Sequence, residues 1–199
     1  MIAESRFVAN KALDFDGWIA ARVGGVTATE VANAATPAGF RDALEQRRNP
    51  VDVGDNAYMA FGRDWESHIA EKVQVEFGVN PNEWLIAADE NPLHLATPDG
   101  LSEDHVLIGE YKTTGKDWET VEKLPLRYKR QVQWQLYVTG ADACVVAWLL
   151  REEVDTPGGP LMVPAWFDPK MGVLTRDEDM ISELVEVADR LIREDANNG

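Results

Sequence analysis

The chain has 199 residues, 45% of them apolar, and carries 19 basic against 35 acidic side chains for a formal net charge of -16. That length buries one sizeable core and is short for two, so a single domain over residues 1–199 is expected. No run of ~18 apolar residues could span a membrane, and Glu4, Arg6, Lys11, Asp14 and Asp16 leave no apolar signal segment at the start. One cysteine also excludes a cysteine-ligated iron-sulfur cluster, which takes about four.

In chain order, residues 1–25 are mixed, with Trp18 and a short helix expected before Gly24-Gly25. Thr27-Ala28-Thr29-Glu30 has the composition of a helix start, a hydroxyl ahead of an acidic residue and small side chains. Residues 41–56 are polar and contain Pro50 and Gly54, which predicts a mobile connection. From 57 to 77, Phe61, Trp65, Ile69, Val73 and Phe77 recur every four positions, the ladder of one buried helix face that Gly78 ends. Glu66 then projects about 100° from that ladder, at the edge of the buried surface, where a carboxylate reaches a cleft.

Two short strands are predicted over 84–88 and 93–97, broken by Pro98-Asp99-Gly100, and a third over 106–113. Strand alternation puts Val106, Ile108, Glu110 and Lys112 on one face and Leu107 and Tyr111 on the other. Pro125 opens a helix to about Thr139, with Tyr128, Val132 and Leu136 as its core stripe, Gln131 and Gln135 as an adjacent stripe, and Gly140 as its stop. Strands over 143–150, which includes Cys144 as a small buried hydrophobe, and over 161–168 follow. An amphipathic helix over 177–194 closes the chain, burying Ile181, Leu184, Val185, Ala188, Leu191 and Ile192. Strands between helices at both ends describe an α/β or mixed α+β fold around a central sheet.

The charge of -16 opposes an anionic partner, but screening confines exposed charges to ~8 Å, so the local distribution decides. Residues 112–130 hold six basic side chains (Lys112, Lys116, Lys123, Arg127, Lys129 and Arg130) against three acidic ones, while 176–199 is strongly acidic. The charge is segregated.

The strongest chemical constellation is Pro98-Asp99-Gly100 followed by a hairpin and Glu110-Tyr111-Lys112. Two carboxylates at a strand end form an oxygen-rich site that selects Mg²⁺ or Mn²⁺ over zinc, and a lysine on the face of Glu110 adds what phosphodiester hydrolysis needs. Each part alone has a plainer reading: Pro-Asp-Gly is ordinary turn chemistry, and Glu110 and Lys112 would suit a solvated strand edge. Apolar residues on both faces of the preceding strand favour a central position for Glu110 and Lys112 instead. His94 and His105 flank this constellation without cysteine partners, so zinc ligation is not expected, and His68 reads as a surface residue. Among the seven tryptophans, Trp65, Trp148 and Trp166 fall in the core ladder or in strands, and only Trp18 and Trp118 are candidates for touching a nucleic acid.

Gly62-Arg63-Asp64-Trp65-Glu66, Ala96-Thr97-Pro98-Asp99-Gly100-Leu101, Gly109-Glu110-Tyr111-Lys112, Tyr128-Lys129-Arg130-Gln131-Val132-Gln133-Trp134-Gln135 and Val138-Thr139-Gly140 occur in that order over about residues 20–150. This succession resembles the lambda-exonuclease and YqaJ-like viral recombinases. The resemblance implies a PD-(D/E)XK restriction-endonuclease-like core, a central mixed sheet flanked by helices. It further implies that Asp99, Glu110 and the carbonyl of Tyr111 hold two Mg²⁺ ions, with Glu66 assisting at the second. Lys112 would orient or activate the water, and Gln131 would steady that water and the lysine.

The segment from Arg22 to Glu30 is similar to the family's receiver of a terminal 5' phosphate, with Thr29 where serine is common; the alternative is a surface arginine and an ordinary helix cap. The activity implied is a 5'-to-3' double-strand DNA exonuclease that supplies 3' single strands to a phage-type single-strand annealing protein. A trimeric ring and a cytoplasmic location are implied with it. A RecB-like or restriction-type endonuclease is the nearest alternative, and a non-catalytic acidic DNA mimic is an alternative of another class, motivated by the net charge.

Overall fold

The computed structural model describes residues 1–51 and 54–197. A short 3-10 turn at Glu4–Arg6 leads into β1 (Phe7–Asn10), α1 (Phe15–Ala21), β2 (Val26–Thr27), α2 (Ala28–Ala34) and α3 (Pro37–Arg48). Then come α4 (Ala57–Phe77), β3 (Val79–Pro81), β4 (Trp84–Ala87), β5 (His94–Ala96), β6 (Gly100–Ser102) and β7 (Leu107–Thr114). A second 3-10 turn, Val121–Lys123, precedes α5 (Leu126–Thr139), β8 (Ala143–Thr156), β9 (Gly159–Pro164), β10 (Lys170–Thr175) and α6 (Glu178–Ala196). No helix among the described residues is long and apolar enough to cross a membrane.

The strands form two sheets. One has the order β1-β4-β5-β2; the other runs β10-β8-β7-β6-β3, with β9 paired to the outer part of β8. β7 and β8 are parallel over eight residue pairs, whereas β6 pairs antiparallel with β7 only at Gly100 and Leu101. This is the mixed α/β architecture expected from the sequence. Alternation along β7 holds as read, and β8 follows it: Ile108, Cys144, Val146 and Trp148 pack with Val132 and Leu136 of α5, while Tyr111, Val145, Ala147 and Leu149 pack with Ile69, Ala70 and Val73 of α4. The central sheet therefore lies between α5 and α4.

The apolar ladder of α4 buries Phe61, Ile69 and Val73, with Trp65 and Phe77 partly covered, and Gly78 ends the helix in the left-handed region at φ 69°. Gly140 does the same for α5 at φ 76°. The last helix starts as its pattern requires, with the Asp177 side chain accepting from the N–H of Met180, and it buries Ile181, Leu184, Ala188 and Leu191 while Val185 and Ile192 are partly covered.

Three expectations need correction. The polar stretch 41–56 is not a mobile connection through its first half, because residues up to Arg48 belong to α3; Asp52 and Val53 lie outside the described residues. The helix starts on Thr36, whose hydroxyl accepts from Gly39 N–H, and Pro37 occupies its first turn. Trp118 is not at the surface: it is 6% exposed and packs against Tyr128 and Trp148. Trp166 follows β9 rather than belonging to a strand.

Candidate active site

The site is built where β6 releases β7. Beyond Gly100 and Leu101 the edge of β7 has no neighbouring strand among the described residues, and the next donor on that side, the N–H of Tyr111, goes to Asp99 Oδ2 at 2.6 Å. In an extended strand the N–H and C=O of one residue emerge on the same side, so the carbonyl of Tyr111 faces Asp99's side of the strand as well. The turn carrying Asp99 is itself pinned. Asn82 donates from its side chain to the Pro98 carbonyl at 2.8 Å and from its backbone to the Asp99 carbonyl at 3.0 Å.

Gly100 is required here for close approach and not for turn conformation. A Cβ at Gly100 would stand 2.4 Å from the hydroxyl of Tyr111 and 2.6 Å from Val79 Cγ1, and one at Gly109 would stand 2.7 Å from the same hydroxyl. Two glycines paired across β6 and β7 thus make room for the Tyr111 ring.

Glu110 and Lys112 point to the opposite face, toward α5. Glu110 is 1% exposed, yet its carboxylate is fully engaged. Gln131 Nε2 donates to Oε1 at 2.6 Å, Gln135 Nε2 donates to Oε2 at 2.7 Å, and the Lys112 ammonium contacts Oε1 directly. Burying a carboxylate without such partners would cost several kcal/mol. Gln131 and Gln135 stand one turn apart on α5, the spacing that lets two amides grip the two oxygens of one carboxylate. The sequence singles out both glutamines as a stripe, but only the coordinates assign Gln135 its bond to Glu110.

The charges interact. Burial, then the negative charge of Glu110, holds the Asp99 carboxyl well above the usual carboxylate range. Burial works against the Lys112 ammonium, but Glu110 and Asp99 outweigh it and raise its pKa. Asp99, Glu110 and Lys112 therefore share one electrostatic site. Glu66 joins from α4: with Asp99, Tyr111 and Glu83 it lines a cleft of about 370 Å³. Glu83, one residue past the Asn82 that pins the turn, was not marked by any motif.

Among the described residues no three His, Cys, Asp or Glu side chains stand close enough together to hold an ion unaided. The donors present are nevertheless of the kind a hard divalent cation takes. They are carboxylate and carbonyl oxygens only, and burial and the negative charge of Glu110 raise the pKa of Asp99 there.

Other sequence candidates fall elsewhere. His94 is buried and turned away, bonded through Nδ1 to the Tyr137 hydroxyl at 3.0 Å and through Nε2 to Asp189 at 3.1 Å. Nδ1 of His105 accepts the N–H of Ile2, and half-buried His68 contacts the Phe167 carbonyl. Arg22 and Thr29 do come together: both line a cavity of about 700 Å³ with Thr27, Glu30 and Asn33. Arg22 is half-buried with its guanidinium 4.3 Å from the centre of the Trp18 ring, and burial lowers its pKa against the pull of Glu30. Thr27 occupies the helix-start position of α2 without a side-chain cap bond.

With this geometry in place, the likeness to known proteins is decisive. The YqaJ-like viral recombinase domain matches residues 17–142. The chain belongs to that family. Among solved structures, the alkaline exonuclease LHK-Exo from Laribacter hongkongensis is similar, with a TM-score of 0.71 and 25% identity over 92% of this chain and 93% of that one. The same enzyme in complex with dAMP gives 0.70 and 24% at the same coverage. A phage-related exonuclease from Haemophilus somnus 129PT gives 0.62 and 14%, covering 87% and 96%, and at that identity it shows the fold alone. No curated protein sequence matches the chain. The YqaJ-like assignment and the exonuclease neighbours agree with the mixed sheet between helices, and the matched segment contains Asp99, Glu110, Lys112 and Gln131.

Proposed function

We propose that this YqaJ-like protein, acting as one domain over its 199 residues, is a metal-dependent DNA exonuclease that digests duplex ends 5' to 3'. The 3' single strands it leaves would pass to a phage-type single-strand annealing protein in the cytoplasm. The observations that carry the reading are the Asp99 carboxylate on the N–H of Tyr111, where β7 loses its neighbour, and the Lys112 ammonium on Glu110, the two residues that flank Tyr111 in the same strand.

Asp99, Glu110 and the carbonyl of Tyr111 would hold Mg²⁺, or Mn²⁺ in its place, and Glu66 would serve a second ion. Such an ion, when bound, polarises a phosphoryl oxygen and makes water a nucleophile near neutral pH. The chain's own residues do the rest. Lys112 presents its ammonium beside Glu110, where it orients or activates the attacking water. Gln131 and Gln135 hold the Glu110 carboxylate to one orientation, so no side-chain ordering is left for the reaction to supply. Arg22, with a planar fork that matches a phosphate bidentately, and Thr29 receive the terminal 5' phosphate in the cavity they share. A trimeric ring with its basic surface inward would reconcile a net charge of -16 with a polyanionic substrate.

Digestion of linear duplexes labelled at the 5' or the 3' end, with and without Mg²⁺, tests the reading, with closed-circular DNA as the control. Mg²⁺-dependent release of the 5' label and an intact circle are expected. A nicked circle points to an endonuclease, and first release of the 3' label reverses the polarity.

A further inference from the structure

The stripe of α5 that grips Glu110 does not end at Gln131. Four residues earlier, ~6 Å along the helix axis, the same face carries Arg127. Its guanidinium lies 4.6 Å from the centre of the Tyr128 ring and donates to the Tyr128 hydroxyl at 2.7 Å. The same ring stands 5.5 Å from the Lys112 ammonium and packs on its other neighbours against the buried Trp118. Tyr128 thus ties the site lysine to an exposed arginine, and the two separations from its ring keep the cations within about 10 Å of each other.

Arg127 has no carboxylate partner among the described residues; its guanidinium is committed to the neighbouring Tyr128 alone. An exposed guanidinium held in one place and left without an anion is suited to an external one. The planar fork selects phosphate oxygens. Phosphates of one strand are spaced by ~3.4 Å along a duplex axis, so a cation this near Lys112 falls within two or three phosphates of the bond being cut.

We propose that Arg127, positioned by Tyr128, is a contact for the phosphodiester backbone of the DNA beside the cleaved bond. The inference deepens the nuclease reading and rests on it. Arg127 positions substrate; its charge does not reach the reacting atoms through any bond in the structure.

Binding of a short fluorescein-labelled duplex, followed by anisotropy in EDTA across a salt series, tests this without turnover. Arg127→Ala is expected to raise Kd about tenfold and to make the slope of log K against log[salt] shallower by about 0.9. Arg127→Lys should keep the wild-type slope with an intermediate Kd, because the charge stays and the fork is lost. Tyr128→Phe should likewise weaken binding at an unchanged slope. An Arg127→Ala protein with the wild-type Kd and slope overturns the contact, and so does a weakened Kd at the wild-type slope, which would mean the residue acts through the fold. Failure of the wild-type protein to digest duplex DNA in Mg²⁺ would instead sink the nuclease reading itself.

Discussion

Asp99 accepts the backbone N–H of Tyr111 at 2.6 Å, taking the place of the strand that β6 no longer supplies. A carboxylate used as a rung of the sheet is fixed relative to the strand that bears Glu110 and Lys112. The arrangement has an energetic cost, since Asp99 is held beside Glu110 with one lysine between two acids.

That cost has a pH signature. The folded-state pKa of Asp99 is raised by burial and by Glu110, so between its ordinary value of 3.8 and the raised value the native protein binds more protons than the unfolded chain. Stability therefore falls as pH rises through that window. In EDTA at pH 8, Asp99→Asn, which can still accept from Tyr111, should melt several degrees above wild type while losing activity in Mg²⁺. A lower melting temperature for the variant would show that Asp99 is not electrostatically strained.

Arg22 stacks on Trp18 inside a cavity that also presents Thr29. Replacing Arg22 by alanine should erase any preference for 5'-phosphorylated over 5'-hydroxyl ends while leaving digestion of hydroxyl ends nearly unchanged. An unaltered ratio of the two rates removes Arg22 from that role.

Arg47, 12% exposed in its side chain, binds both oxygens of Glu30 at 2.6 and 3.0 Å, Asp195 at 2.9 Å and the Gly25 carbonyl at 2.6 Å. One guanidinium joins α2, α3, α6 and the loop before β2. Arg47→Ala should cost about 2–4 kcal/mol in urea unfolding, because it strands partly buried partners. A loss under about 0.5 kcal/mol would mark the cluster as an ordinary surface network.

Gly100→Ala adds one methyl at 2.4 Å from the Tyr111 hydroxyl, a buried group with no hydrogen-bond partner among the described residues. Overpacking of this kind costs about 1–3 kcal/mol. Because Tyr111 is the residue whose N–H anchors Asp99, activity should fall more steeply than stability. Equal activity in the variant would mean that the ring and the site are uncoupled.

How much of this was legible in the sequence depended on the length of the pattern. The ladders of α4, α5 and α6 could be read because 14 to 21 residues repeat one period and end on a glycine or begin on a capping aspartate. The three-residue strands β3 and β6 have too few positions to show alternation, and β6 was hidden inside what looked like turn chemistry. In α3 only Phe40 and Leu44 are buried, so its apolar stripe was too thin to see. The Thr36-Pro37 start was the available signal.

At the site, the spacing of Asp99, Glu110 and Lys112 was visible, whereas the partners that make their burial tolerable were not. The grip of Gln135 on Glu110 and the pin of Asn82 on the Asp99 turn exist only once α5 is folded against β7 and β3 is paired with β6. Trp118 was misread for the same reason: its neighbours Lys116, Asp117 and Glu119 are polar, and the surface it buries against comes from Tyr128 and Trp148.

The measurement that bears most directly on the site is digestion of linear duplex DNA in Mg²⁺ by Lys112→Ala, with DNA binding followed in parallel. A drop in rate of at least about 10²-fold is expected, with the duplex still bound. Cleavage by Lys112→Ala at the wild-type rate would contradict the role given to Lys112.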